Sequence, residues 1–408
     1  MKKYLALILA VLMMLSMATG CGQANTASNE GSTQTQTTQP STAGEDKPAE
    51  EAPAEAPVGE IKSLEGYKLG VIDMSSGGRS ITIVSQNILV DLCKTTGAEL
   101  VQVPLTGYDD AAFMTAYESL IDLGCDAIAV STFSEGPISL IADMMEEAGV
   151  RWFLLNRQIS DPALKEKVFS MSMFVGNDYC DEYDNAYDMT RELAEKYGVK
   201  NLAAIGLTQG DLNGDLRDKA IAQACEDFGI TFLTETRGVA TVDDVTNAVE
   251  GLIASYPELD GIFIVGGTIT AGALAGAAQA LENHGLSDKV SIAMIDVSPG
   301  MAQYMGEGQP LKIVAGGNTQ MDYTFSGACL LNDGMGFNRN QAPYIIKSKM
   351  LRIYTPADAE AYEEYCENVN ANMVSGDKWF DVILGKTVEE IQAFSDAYSI
   401  EYAKSLRG

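Results

Sequence analysis

The chain has 408 residues, with 27 basic against 57 acidic side chains, one histidine, seven cysteines and a formal net charge of −30. That balance argues against nucleic acid and against a basic patch for anionic lipid, since both surfaces are met by clustered Lys and Arg. The cysteines are isolated and His284 is the only histidine, which excludes zinc-finger spacing and leaves a Ser-His-Asp or Cys-His relay no second histidine to use.

Lys2-Lys3 forms a positive start, and "YLALILAVLMMLSM" is an apolar stretch too short to span a membrane comfortably. It runs into "ATGCG", which resembles a bacterial lipoprotein signal with Ala18 where leucine is usual. Residues 1–20 are then removed and Cys21 carries the lipid; the alternative is an ordinary cleaved signal with Cys21 a spare thiol. Residues 22–60 hold no aromatic side chain and only Val58 as a large aliphatic, so they cannot bury enough apolar surface to fold. As a coil they span on the order of 35 Å, a tether from the lipid, which puts the rest at the outer face of the cytoplasmic membrane.

Residues 61–408 suffice for two domains. Apolar runs recur at "YKLGVID", "ELVQVP", "AIAVS", "RWFLLN", "MFVG", "NLAAIGL", "ITFLTE", "GIFIVGG", "VSIAMID" and "LKIVAGG". Helical patterns separate most of them. One has Phe113, Tyr117, Leu120 and Ile121 in step, Asp109 or Asp110 to cap it and Gly124 to stop it. Another runs through Tyr183, Ala186, Tyr187, Leu193 and Tyr197 to Gly198. Strands without polar alternation, separated by helices, predict a doubly wound α/β fold, and ten strands suit two parallel sheets joined by a hinge. "YIIKSKMLRIY" reads as one further strand, and Tyr362, Tyr365, Cys366 and Val369 as one buried helical stripe.

Open parallel sheets bind ligands beyond the carboxyl ends of their strands. Those positions carry Ser75, Ser76 and Arg79, Phe133, Asn156-Arg157, Asp211, Gly266-Gly267, Asp296 and Asn318. They are rich in hydroxyls and amides and poor in groups that make or break covalent bonds, so an enzyme is not expected. Nor is a cofactor or a metal. No GxxxxGK[ST] phosphate loop is present, and "DLNGDLRDKA" begins like a calcium loop but has Leu216 for its glycine and Ala222 for its glutamate. Cys93, Cys125, Cys180, Cys225, Cys329 and Cys366 read as buried thiols, with pairing left open.

The oddest stretch is "RWFLLNRQIS", a buried strand that stops on Asn156 and Arg157 without a spacer. Together with "FVGNDYCDEYDNAY", "DGIFIVGGTITAGALAGAAQAL", "VSIAMIDVSP" and "SKMLRIYTPADAEAYEEY", in this order, it resembles the type I periplasmic sugar-binding proteins that feed ABC importers. The resemblance covers about Tyr67 to Tyr365. It implies a lobe of 61–175 plus about 319–340, a second of 176–318 plus about 341–408, and chain crossings near 175, 318 and 340. It assigns Arg157 to forking onto sugar hydroxyls with Asn156 beside it, Arg217 as the second lobe's ligand arginine and Asp296 as an acceptor. Asn318 or Gln320 supplies an amide, and Ser75, Ser76 and Arg79 form the first loop. Three departures are visible. The first loop lacks a Phe pair for stacking, leaving Phe133 or Phe153; Gly266-Gly267 replaces an Asn-Asp turn; and Tyr183 stands near a usual glycine. The implied function is capture of a small ligand, a monosaccharide above all, by hinge closure, as a monomer that delivers it to a membrane permease and ATPase. The alternative is a sensory lipoprotein that signals ligand state to a receptor. The export signal and the lack of a helix-turn-helix segment exclude the regulator version of the fold.

Overall fold

The alternation resolves into twelve strands and thirteen helices among the described residues of a computed structural model, which are 63–74, 80–107, 109–239, 241–266, 272–337 and 342–407, all in the unit Pro57–Gly408. The signal segment, Cys21, the tether, Ser75, Ser76, Arg79 and Gly267 lie outside these residues. The first half runs β1 (Lys68–Asp73), α1 (Ser80–Thr96), β2 (Glu99–Pro104), α2 (Asp110–Asp122), β3 (Ala127–Val130), α3 (Ile138–Ala148), β4 (Arg151–Leu154), α4 (Pro162–Phe169) and β5 (Phe174–Cys180). The second half is α5 (Glu182–Tyr197), β6 (Asn201–Ile205), α6 (Leu212–Phe228), β7 (Thr231–Thr236), α7 (Val242–Ser255), β8 (Gly261–Ile264), α8 (Ala273–Asn283), β9 (Ser291–Ile295) and β10 (Leu311–Gly316). There follow α9 (Asn318–Met335), β11 (Tyr344–Ser348), β12 (Leu351–Ile353), α10 (Pro356–Tyr365), α11 (Lys378–Val382), α12 (Val388–Ala397) and α13 (Ile400–Arg407).

Two six-stranded sheets result, ordered β11-β5-β4-β3-β1-β2 and β12-β10-β9-β8-β6-β7. The same parallel pattern is therefore built twice, and in each copy the strand order reverses beside the first strand, the position at which open parallel sheets bind ligands. Central strands such as β3 and β9 are buried throughout, because helices cover both faces of each sheet. Helix boundaries follow local chemistry. The Asp109 carboxylate caps α2 by accepting the Ala112 N–H, and Gly198, at φ +71°, closes α5.

Three features differ from the sequence reading. "YIIKSKMLRIY" is two short strands: β11 lies parallel to β5 in the first sheet, and β12 antiparallel to β10 in the second. Gly176 makes the first pairing possible, since a Cβ there would collide with the Tyr344 backbone. The crossings accordingly fall after Cys180, after Gly316 and between Ser348 and Leu351. Residues 341–408 therefore do not belong wholly with the second sheet. α12 packs on β11, α10 packs beside Met301–Tyr304 of the second half, and Trp379 donates to Asp91 on α1 at 2.7 Å. The helical stripe also stops short: α10 ends at Tyr365 with Cys366 as its cap, and Val369 is exposed.

Candidate ligand-binding site

Only two non-glycine residues among those described hold a positive φ: Asn156 at 44° and Asp296 at 69°. Each lies just past the carboxyl end of a central strand, β4 in one sheet and β9 in the other. Side chains other than glycine occupy this region at an energetic cost, which surrounding structure must over-determine and which concentrates at functional sites. Around Asn156 the restraint comes from β5. The Asn156 N–H donates to Asp178 Oδ1 at 3.1 Å, the Arg157 N–H to the Asp178 carbonyl at 2.9 Å, and Asn177 Nδ2 to the Arg157 carbonyl at 2.8 Å.

These bonds aim a buried guanidinium. Arg157 is 8% exposed, and its Nη1 donates to the Asn156 carbonyl at 2.7 Å, while its Nε has no partner. It forms no ion pair among the described residues. Burial pulls its pKa below the usual arginine value, opposed by the fields of Asp211, Glu182 and Asp322 and aided by Arg217. Those groups stand at the start of α6, the start of α5 and the first turns of α9.

Arg217, on α6, is equally buried but fully engaged. Its Nε donates to Glu182 Oε2 at 2.8 Å and its Nη1 to the Val265 carbonyl at 2.7 Å. Burial disfavours its charge, yet Glu182 and Asp296 outweigh that and raise its pKa. Burial in turn pushes the Glu182 carboxyl up while Arg217 pulls it down; with a guanidinium that does not deprotonate at 2.8 Å, the ion pair is the state the geometry supports.

The remaining candidates divide. Phe133 sets its ring edge-on to Phe113 at 5.1 Å, and its carbonyl accepts the Leu212 N–H at 3.3 Å, a contact between the loop after β3 and the start of α6. Gln320 turns its amide nitrogen to Tyr362, Tyr398 and the Cys366 carbonyl, at 2.9, 3.0 and 3.4 Å, so that donor serves the C-terminal helices. Asn318 opens α9, buried, with its Oδ1 unpartnered. Phe153 lies within β4 in the core, completely buried. Asn156 Oδ1, Asn177 Oδ1, Glu182 Oε1, Asn318 Oδ1 and Arg157 Nε are thus buried polar atoms without a partner. Buried polar groups are almost always satisfied, so each of these atoms has bonding capacity to spare. Glu182 and Asn177 were not singled out from sequence. Both lie inside "FVGNDYCDEYDNAY", but an acidic residue in a first helical turn reads as complementing the helix dipole. The six cysteines are buried and free, and no cluster of metal-ligating side chains exists among the described residues.

A family model described as a periplasmic binding protein domain matches residues 77–324. The chain belongs to that family. Its solved relatives include an ABC transporter solute-binding protein from Bacillus halodurans with bound myo-inositol, at 18% identity, 74% of this chain, 99% of that one and a TM-score of 0.59. Another is a periplasmic solute-binding protein from Actinobacillus succinogenes with bound D-allose, at 18% identity, 72% and 100% coverage and a TM-score of 0.62. A third, the 5-methylthioribose transporter binding protein of Thermotoga lettingae, is 16% identical over 85% and 99% of the two chains, with a TM-score of 0.62. No curated protein matches the chain. As a periplasmic binding protein it is of the type I, two-lobed fold and is not an enzyme. No described helix is long and apolar enough to cross a membrane.

Proposed function

We propose that this protein is an extracytoplasmic solute-binding lipoprotein. It closes two α/β lobes on one small polyhydroxylated ligand, a monosaccharide above all, and delivers it to the permease and ATPase of an ABC importer. The observation that carries the reading is Arg157: a buried arginine without an ion pair among the described residues, on a turn fixed by three hydrogen bonds to β5 just past the carboxyl end of β4. A guanidinium offers five donors in a fixed fork, and adjacent hydroxyls of a sugar or cyclic polyol offer acceptors at matching spacing. In this reading Asn156, Arg157 and Phe133 line one wall, Arg217, Asp296 and Asn318 the other, and Ser75, Ser76 and Arg79 the first loop. Relatives crystallised with myo-inositol and D-allose support that ligand class. Closure by hinge rotation is the motion this architecture favours.

A thermal-shift screen over monosaccharides, cyclic polyols, nucleosides and amino acids tests the ligand class. A true ligand at 100 times its Kd stabilises by about 2.7 kcal/mol. Stabilisation by a sugar or polyol is expected; stabilisation by amino acids alone would contradict the reading. For the anchor, Cys21→Ala should move the protein from the membrane to the soluble fraction, and retention would refute lipidation.

A further inference from the structure

Three chain segments pass between the sheets, and a buried polar cluster ties them together. Asp178 lies near the end of β5, Asp322 in the first turns of α9 and Ser348 at the end of β11, beside the first, second and third crossings respectively. All three are buried. Ser348 Oγ lies 3.2 Å from the Tyr179 carbonyl and 3.3 Å from Asp322 Oδ1. Asp178 Oδ1 accepts the Asn156 N–H, and its Oδ2 meets no donor, yet its carboxyl lies within hydrogen-bonding reach of that of Asp322. Neither acid forms an ion pair among the described residues.

Two ionised carboxylates cannot rest in contact in a buried site, whereas one proton between them replaces repulsion with a short, charge-assisted bond. We propose that Asp178 and Asp322 share one proton across the hinge, and that this bond positions Asn156 and Arg157. The first half stands on the cluster alone; the positioning role rests on the reading of Arg157 as a ligand contact.

The surroundings agree. The loop after β4 presents Arg157, and α5 presents Glu182, which is committed to Arg217 of α6. Cys180 from β5 and Tyr323 and Cys329 from α9 are kept neutral by burial. Burial pushes both acids above the ordinary carboxylate range, and for Asp322 the charge of Asp178 pushes further. The apparent titration belongs to the pair rather than to either residue. A carboxyl whose pKa is raised on folding stabilises fully below its unfolded value, about 4, and that contribution is lost as pH rises through the raised value. The hinge therefore loosens toward alkaline pH.

Infrared difference spectroscopy on the full chain reads the proton directly. At pH 6 the wild type should show one protonated-carboxyl band broadened and lowered in frequency by the shared proton, and in Asp178→Asn and Asp322→Asn that band should move to the position of an isolated carboxyl or vanish. Asp218, pushed up to about 7 by burial and by Glu235, supplies a band common to all three. A spectrum unchanged in both variants would overturn the shared proton. Hydrogen exchange at the Asn156 and Arg157 amides, corrected for intrinsic rate, reads positioning. In the wild type, protection should fall by up to about tenfold per pH unit above the pair's titration. In Asp322→Asn, whose amide still donates to Asp178, it should stay flat. Flat protection in the wild type would overturn the positioning role, and that profile needs no variant to fold. Neither readout uses a ligand, so failure of the sugar reading would leave both results standing.

Discussion

Arg157 and Arg217 have the same charge and nearly the same burial, at 8% and 4% exposed, and they come from the loop after β4 and from α6. Arg217 is tied to Glu182 and to a carbonyl; Arg157 has one carbonyl and an unpartnered Nε. A protein stabilised only by its own contacts would have paired both. In the proposed function the contrast gives Arg217 the task of holding the second lobe's wall in shape and Arg157 that of meeting a ligand.

Breaking the Arg217 side of the comparison should have the largest effect on stability. Arg217→Ala leaves Glu182 buried without its partner, and removing one member of a buried pair costs about 3–5 kcal/mol. Chemical denaturation should report a lower midpoint with unchanged slope. Loss below about 1 kcal/mol would mean that the pair is not structural, and the two arginines would become alike.

A smaller effect sharpens the Arg157 side. Asn156→Gly relieves a left-handed backbone at φ 44° while keeping the N–H that Asp178 accepts, so melting should be unchanged or improved by up to about 1 kcal/mol. Ligand binding should weaken, because glycine lets the Arg157 loop wander and removes Asn156 Oδ1. A less stable protein with intact affinity would show that the Asn156 side chain serves the fold rather than the site.

The strands, their buried character and the two-sheet plan were legible from the runs themselves, since a parallel strand covered on both faces has no other pattern. The positions of Asn156 and Asp296 were legible too, because polar residues directly after core strands are conspicuous. The commitments of side chains were not. Gln320 reads from sequence as a candidate site amide, and only packing shows that its nitrogen is taken by Tyr362 and Tyr398, over 40 residues away in sequence. Glu182 and Asp178 lay in a quoted motif, but only packing of α5 against α6 and of β5 against the Asn156 turn reveals what they hold. The pairing of 344–348 with β5 depends on Gly176 in a different strand. Such facts live in long-range contacts, which a local pattern does not encode.

The most direct test titrates the best stabilising sugar or polyol into wild type and Arg157→Ala by calorimetry, with a melting curve on each unliganded protein. Two charge-assisted bonds lost at roughly 1.5–3 kcal/mol each should weaken binding by about 3–6 kcal/mol, two to four decades in Kd. The unliganded melt should stay within about 1 kcal/mol of wild type, since the one carbonyl bond lost is offset by removal of a buried charge that no ion pair compensates. An unchanged Kd accompanied by a lower melting temperature would contradict the account and make Arg157 a structural brace.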